Sequence, residues 1–253
     1  MRPPPPLDPT RHALFVDFDG TLVEIAPHPD QVDVPGDLPP RLRALAATVG
    51  GRLALVSGRP VTAIDRYTQG AAPYAAGLHG LEWRGPDGTR HGPARAPGIE
   101  ALRPRLSAFA ARRPALYFED KGVTLSLHYR GAPEAEPELL ALAEGLLAEE
   151  PGLILQRGKM VVEIRTAGAD KGSVVTRLME APPFVRHVPV FLGDDLTDEH
   201  GFAAAARLGG LGIRIGAPAP SSAACFLPDV CAARDWLFAP RATPADPAAD
   251  LSR

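Results

Sequence analysis

The chain has little cysteine, little lysine, no dominant sign of charge and no long apolar run. Its 253 residues include two cysteines, Cys225 and Cys231. Their spacing matches neither a CxxC pair nor a zinc pattern, so no disulfide framework or structural zinc is expected, and a reduced, cytoplasmic compartment is the simplest reading. The formal net charge is −3, which gives neither a nucleic-acid footprint nor a basic patch for a membrane surface. No apolar stretch approaches the length of a transmembrane helix. The opening segment, MRPPPPLDPTRH, lacks the apolar middle of a signal peptide. It reads as a stiff, disordered lead-in over residues 1–12, and the proline-rich end reads as a disordered tail over residues 239–253. Lysine is the most informative scarcity. Of 27 basic residues only Lys121, Lys159 and Lys171 are lysine. In an arginine-rich chain, a lysine inside a motif points to a place where a compact charge fits and a planar fork does not.

Hydrophobic residues make up 45% of the chain, enough for a substantial core. Five short apolar runs read as buried parallel strands: ALFVDF, RLALVSG, YAAGL, VPVFLG and LGIRIG. Helical spacing lies between them. Leu42, Leu45 and Val49 follow a candidate N-cap at Asp37, Val174, Val175, Leu178 and Met179 follow Asp170, and Phe202, Ala205 and Ala206 follow Thr197. This alternation predicts a doubly wound α/β core over residues 13–95 and 169–238. Residues 96–168 read differently. KGVTLSLHYR and GKMVVEIR alternate with period two, placing Leu125, Leu127, Val162 and Ile164 opposite Ser126, His128, Glu163 and Arg165. That pattern predicts an antiparallel sheet with one wet face, its dry face covered by the helical segments GIEALRPRLSAFAARR and PELLALAEGLLAEE. The expectation is a small α+β unit inserted into a parallel α/β core.

Ligands of open α/β sheets bind outside the carboxyl ends of the strands. There the candidate strands end in Asp17-Phe18-Asp19-Gly20-Thr21, Val56-Ser57-Gly58-Arg59, Gly77-Leu78-His79-Gly80 and Gly193-Asp194-Asp195. An isolated DxD is most simply a turn or a cap. DxDGT at one strand end with GDD at another gathers Asp17, Asp19, Asp194 and Asp195, whose repulsion a hard cation such as Mg²⁺ would resolve. Ser57 can donate to a phosphate oxygen, and Lys171 lies at a helix N-terminus where anions are favoured. These groups suit phosphoryl transfer through a carboxylate nucleophile, with a second carboxyl two residues on as general acid and then base.

DFDGT, VSGR, DKG and GDD, in that order, resemble the four motifs of the haloacid dehalogenase superfamily, whose fold is a HAD-like Rossmannoid core with an inserted cap. The longer stretches DFDGTLVEIAPHPD, LVSGRP, GLHGLEW, GKMVVEIRTAGADKG and GDDLTDE resemble trehalose-6-phosphate phosphatases across nearly all of residues 13–216. The resemblance implies Asp17 as nucleophile, Asp19 as general acid/base, and Ser57 and Lys171 as phosphate holders. It implies Mg²⁺ held by Asp17, the Asp19 carbonyl and Asp194, with Asp195 close by. It implies a sugar-binding set of Arg59, His79, Gly80, Lys159 and Glu163, with Arg90 as a looser candidate. Lys121 reads as a surface partner of Glu119, and His200 as a helix-surface histidine. The implied protein is a monomer acting on a small sugar phosphate, paired in function with a trehalose-phosphate synthase. The core motifs are shared by sucrose-phosphate and mannosyl-phosphate phosphatases, and a phosphosugar mutase would use them too. A non-catalytic sensor would be expected to lack Asp17 or Asp19.

Overall fold

The computed structural model describes residues 2–93, 97–217 and 219–239. The first half of the core comprises β1 (His12–Val16), α1 (Leu38–Thr48), β2 (Leu53–Val56), α2 (Val61–Thr68), β3 (Tyr74–Gly77), β4 (Glu82–Arg84) and β5 (Arg90–His91). The inserted unit follows with α3 (Pro97–Ala111), β6 (Tyr117–Asp120), β7 (Thr124–His128), α4 (Glu136–Leu147), β8 (Leu153–Gly158) and β9 (Val161–Thr166). The core resumes with α5 (Lys171–Met179), β10 (Val188–Gly193), α6 (Glu199–Arg207), β11 (Leu211–Ile215), β12 (Cys225–Leu227) and α7 (Val230–Phe238).

The core sheet runs β12-β11-β10-β1-β2-β3-β4-β5, parallel from β12 to β3 and antiparallel at the β4 and β5 edge. β1 sits in the middle and both its faces are buried from Ala13 to Val16, which is why it is apolar at those four positions. Leu14 and Val16 pack into one cluster with Leu42 of α1, Ile64 of α2 and Leu237 of α7. Ala13 and Phe15 pack into the other with Val174 of α5 and Phe202 of α6. The parallel registers bring Val16 level with Leu192 and Leu55. The strands therefore release Asp17, Ser57 and Asp194 along one edge.

The inserted sheet is antiparallel, in the order β6-β7-β9-β8. Leu125, Leu127, Val162 and Ile164 face a core of their own with Ile99 and Leu106 of α3 and Leu139 of α4. Pro104 does not end α3; Leu102 and Leu106 on either side are buried and hold the helix through it. The opposite face is polar as expected but is not wet. Thr124, Ser126, Glu163 and Arg165 are all buried, because this face looks onto the core.

Two further expectations change. Residues 2–12 are tied to the core at several points, where a disordered lead-in was expected. Leu7 is buried, Trp236 Nε1 donates to the Pro5 carbonyl at 2.8 Å, and Arg52 Nη2 donates to the Pro9 carbonyl at 2.6 Å. Proline lacks an N–H but keeps its carbonyl, so a proline-rich segment can be tied down entirely as an acceptor. Asp37 does not cap α1 through its side chain; it pairs with Arg41 one turn on, at 2.9 Å. The expected boundary at residues 95 and 96, and the tail from residue 240 onward, lie outside the described residues.

Candidate active site

Asp17 follows directly on β1 and its backbone N–H donates to the Leu192 carbonyl at 2.9 Å, so the strand ladder fixes its place. The chain then turns at Gly20, whose φ of +77° suits glycine. A Cβ there would lie 2.3 Å from Asp194 Oδ2, so the close approach of the two loops also requires glycine. Asp170 caps α5 in a reciprocal box with Ser173, and the first helical residue, Lys171, points into the protein interior. Its ammonium lies 2.9 Å from Asp17 Oδ1 and 2.7 Å from Asp198 Oδ1. The second oxygen of Asp198 accepts the N–H groups of Asp194 and Asp195 at 3.0 and 2.9 Å. Asp198 thus fixes both the lysine and the turn that carries Asp194.

Carboxylate oxygens of Asp17, Asp194 and Asp198 lie within 4.8 Å of one another. Burial pushes the Asp17 carboxyl well above the ordinary range, against the pull of Lys171. Burial likewise raises Asp198, and together with the Asp198 charge it pushes Asp194 up to about 7. Three acids around one buried ammonium leave surplus negative charge in a place that disfavours it. Both oxygens of Asp198 are occupied by protein donors, which leaves Asp17 and Asp194 as the side chains able to hold a cation. Hard oxygen donors with excess negative charge fit a small divalent ion.

The other expected acids are placed differently. Asp195 caps the turn after β10 by accepting the Leu196 N–H at 2.7 Å, and its Oδ2 accepts the Lys159 N–H at 3.1 Å. It therefore lies outside the three-acid cluster, its oxygens taken by backbone donors. Asp19 lines the cleft, but both its oxygens are gripped by Arg59 at 2.6 and 2.8 Å. Arg59 lines the cleft, with three of its five N–H groups directed to Asp19 and Pro29. Ser57 is buried beside the cluster and its Oγ accepts the Arg59 N–H at 3.1 Å.

The facing wall is the polar side of the inserted sheet. Lys159 Nζ lies 3.4 Å from Asp194 Oδ2. Glu163 Oε2 accepts from Lys121 Nζ at 2.9 Å and from Ser126 Oγ at 2.8 Å, while Oε1 is buried with no hydrogen-bond partner. Burial alone would raise Glu163, but Lys121, His79 and the hydrogen bonds outweigh it and hold the carboxyl down at about 2. Lys121 also donates to the Gly58 carbonyl of the core at 3.1 Å. It is a buried bridge across the seam and not a surface partner of Glu119, which lies 3.8 Å away. His79 follows β3 in a left-handed turn, with φ of +50° at Leu78, +57° at His79 and +101° at Gly80. Backbone in this region is strained for side-chain-bearing residues and is kept only where the surroundings enforce it. Here the Leu78 and His79 N–H groups donate to the Arg59 and Ser57 carbonyls, both at 3.0 Å. The turn aims His79 Nε2 to 3.8 Å from Glu163 Oε2. Burial keeps that imidazole neutral, pushing it down to about 3 against the Glu163 charge. Gly80 allows the turn to rest on the Asp170 carbonyl, which a Cβ would approach to 2.8 Å.

Arg90 is not part of the cleft. It lies on the edge strand β5 and pairs with Asp65 of α2 at 3.4 Å. His200 is exposed on α6, as expected. Sequence reasoning missed Asp198, although its position four residues after Asp194 at a helix start was a usable signal. It also missed Glu119 and gave no role to His128, which share a 2.8 Å contact and line the cleft.

The sequence pattern of the trehalose-phosphatase family matches residues 15–230. A protein of Sinorhizobium fredii named "Probable trehalose-phosphate phosphatase" is 46% identical over 213 residues, covering 84% of this chain and 80% of that one. Trehalose-6-phosphate phosphatase of Escherichia coli is 42% identical over 233 residues, covering 90% and 85%. Among solved structures, the C-terminal domain of the C. albicans trehalose-6-phosphate phosphatase superposes with a TM-score of 0.80 at 20% identity, covering 90% of this chain and 91% of that one. That likeness concerns the fold, as do those to HAD-superfamily phosphatases. No helix among the described residues is long and apolar enough to cross a membrane.

Proposed function

The chain belongs to the trehalose-phosphatase family, and from that premise we propose that it hydrolyses trehalose 6-phosphate to trehalose and phosphate, through an aspartyl phosphate on Asp17 and with Mg²⁺ as its metal. The observation that carries this reading is Asp17 itself: a buried carboxylate at a strand end, 2.9 Å from Lys171, at the floor of a cleft roofed by a second polar sheet.

In the first step an Asp17 oxygen attacks phosphorus. The bond from phosphorus to the sugar oxygen breaks, and the leaving oxygen takes a proton from Asp19. In the second step Asp19 accepts a proton from water as the water oxygen attacks phosphorus. The bond from Asp17 to phosphorus breaks, releasing inorganic phosphate and restoring both carboxylates' starting states. Lys171 and Ser57 hold the non-bridging oxygens, Lys171 already fixed by Asp198 before substrate arrives. Asp17 and Asp194 would hold a divalent ion, which when bound would supply charge neutralisation at the phosphoryl oxygens. Glu163, Lys121, Lys159 and the Glu119–His128 pair present acceptors and donors from the roof, a set suited to the many hydroxyls of a disaccharide. With the roof seated, bulk water is kept from the phosphoenzyme.

The test is phosphate release with Mg²⁺ across trehalose 6-phosphate, sucrose phosphate, a mannosyl phosphate, glucose 6-phosphate and an aryl phosphate. Trehalose 6-phosphate should give the highest kcat/KM; preference for another sugar ester would reassign the substrate.

A further inference from the structure

We propose that Arg59 is the positioning residue for Asp19, and that residues 25–30 tie its grip to the seat of the inserted sheet. The proposal rests on the reading of Asp19 as general acid and base.

Arg59 begins at the end of β2, two residues after Ser57. Its Nε donates to Asp19 Oδ2 at 2.6 Å and its Nη2 to Asp19 Oδ1 at 2.8 Å, a parallel two-point grip on both carboxylate oxygens. Nη1 donates to the Pro29 carbonyl at 2.8 Å. The guanidinium carbon lies 5.3 Å from the Tyr67 ring centroid and 5.9 Å from that of Phe18, and those two rings stack at 5.8 Å. The arginine side chain is only 14% exposed. A lone surface ion pair would fix little, but a two-point fork backed by aromatic faces sets both torsions of the aspartate. Asp19 must meet one particular oxygen of the ester, and an error of about 1 Å at such a group costs on the order of 10²-fold in rate. Three of the five Arg59 N–H groups are committed, two of them to Asp19, so its service to the reaction runs through Asp19.

The Pro29 contact leads outward. Residues 25–30 have no helix or strand of their own and lie between the core and the inserted unit. On the side of the inserted unit, Arg130 donates to the Ala26 carbonyl, and to that of Pro27 at 3.4 Å. The His28 ring sits 4.1 Å from the Tyr117 ring of β6. On the core side, Arg59 holds Pro29. Contacts therefore run from Tyr117 of β6 and from Arg130, just past β7, through this strap to Arg59 and the Asp19 carboxylate.

The test is a double-mutant cycle with Mg²⁺ on trehalose 6-phosphate and on an aryl phosphate with a good leaving group. Arg59→Ala is expected to lower kcat by about 10- to 100-fold, with KM moving by no more than about threefold. Arg59→Lys should recover little of it, since one ammonium cannot grip both oxygens in a plane. On the aryl phosphate, release of the aryl alcohol should show a burst in Arg59→Ala, because the water-activating half is slowed while the first half needs no acid. In an Asp19→Asn background, adding Arg59→Ala should change residual turnover by less than about twofold. Should Arg59→Ala not fold, the same cycle with Arg59→Lys carries the same expectation. Arg130→Ala should lower kcat in the parent chain and have no further effect in the Arg59 variant. A rise in KM at unchanged kcat, or additive losses from Arg59 and Asp19, would overturn the positioning role. Equal effects of Arg130→Ala in both backgrounds would overturn the strap. Full turnover by Asp19→Asn would instead overturn the acid/base reading on which the proposal stands.

Discussion

Lys171 and Lys121 are both buried ammonium groups, each held by carboxylate oxygens at 2.7–2.9 Å, yet their surroundings differ in charge count. Lys171 lies wholly within the core and faces Asp17 and Asp198, with Asp194 in the same cluster. Lys121 belongs to the inserted unit and spans the seam, bonded to Glu163 and to the Gly58 carbonyl, with Glu119 at 3.8 Å engaged by His128. The first site is over-supplied with negative charge, and its acids take protons too readily. The second is balanced, and Glu163 is held down at about 2. Burial acts on both, so the arrangement of the acids decides the outcome: Asp17, Asp194 and Asp198 crowd within 4.8 Å of one another, whereas Glu163 Oε2 is met by both Lys121 and Ser126. The first would suit a cation and a phosphoryl group. The other is complete when the two units meet, and would serve closure and sugar recognition.

The largest effect that would break this comparison is at Asp17. Asp17→Asn should reduce turnover on the order of 10⁴-fold or more, as loss of a covalent nucleophile does. Metal-free Asp17→Asn protein should be at least as stable as the parent in thermal unfolding, since a buried acid with a raised proton affinity destabilises the fold at neutral pH. Chelation should silence the enzyme and Mg²⁺ should restore it. Because Asp194 holds its proton up to about 7 and Asp17 is raised as well, cation affinity by calorimetry should rise at least about tenfold per pH unit as pH climbs toward 7. A flat profile from pH 5 to 8 would separate Asp194 from the ion.

Glu163→Ala sharpens the other half. It should cost about 10²-fold in kcat/KM on trehalose 6-phosphate and much less on a small aryl phosphate. Unlike Asp17→Asn it should destabilise the protein, by about 1–3 kcal/mol, because Lys121 is left buried without its anion. The pH dependence follows the same sign. Glu163 falls from an ordinary 4.5 to about 2 in the fold, so its contribution is present above 4.5 and is lost as pH drops toward 2. His79, held neutral down to about 3, loses stability in the same direction. Acid unfolding of Glu163→Gln should accordingly be less steep in that window than that of the parent. Arg90→Ala should be the smallest effect, within about 0.5 kcal/mol in stability and near parental turnover, since Arg90 touches Asp65 and no cleft residue.

The core site was legible because parallel strands carry their chemistry at one end. Once ALFV, LALV and VPVFLG are read as buried strands, Asp17, Ser57 and Asp194 must lie along one edge. The inserted unit was legible as a pattern but not as a surface. Alternation in KGVTLSLHYR separates Leu125 and Leu127 from Ser126 and His128, yet gives no sign of what the polar face meets. The polar face therefore read as wet and Lys121 as a surface residue, when both are buried against the core. Asp19 lines the cleft, but its fork with Arg59 joins residues 40 apart in sequence and no local signal reveals it. Asp195 and Asp194 are indistinguishable in GDD; only the turn geometry sends one to the cluster and the other to the Leu196 and Lys159 N–H groups. The lead-in was misread because proline content describes missing donors and says nothing about carbonyls that accept.

The most direct measurement of the central claim is chemical trapping of the covalent intermediate. Enzyme turning over trehalose 6-phosphate with Mg²⁺ is quenched, reduced with borohydride and digested, and the peptides are analysed by mass. A phosphorylated aspartate is reduced to homoserine, so the account predicts that change at Asp17 alone, dependent on substrate. Reduction at another acid, or phosphate release with Asp17 never modified, would contradict it.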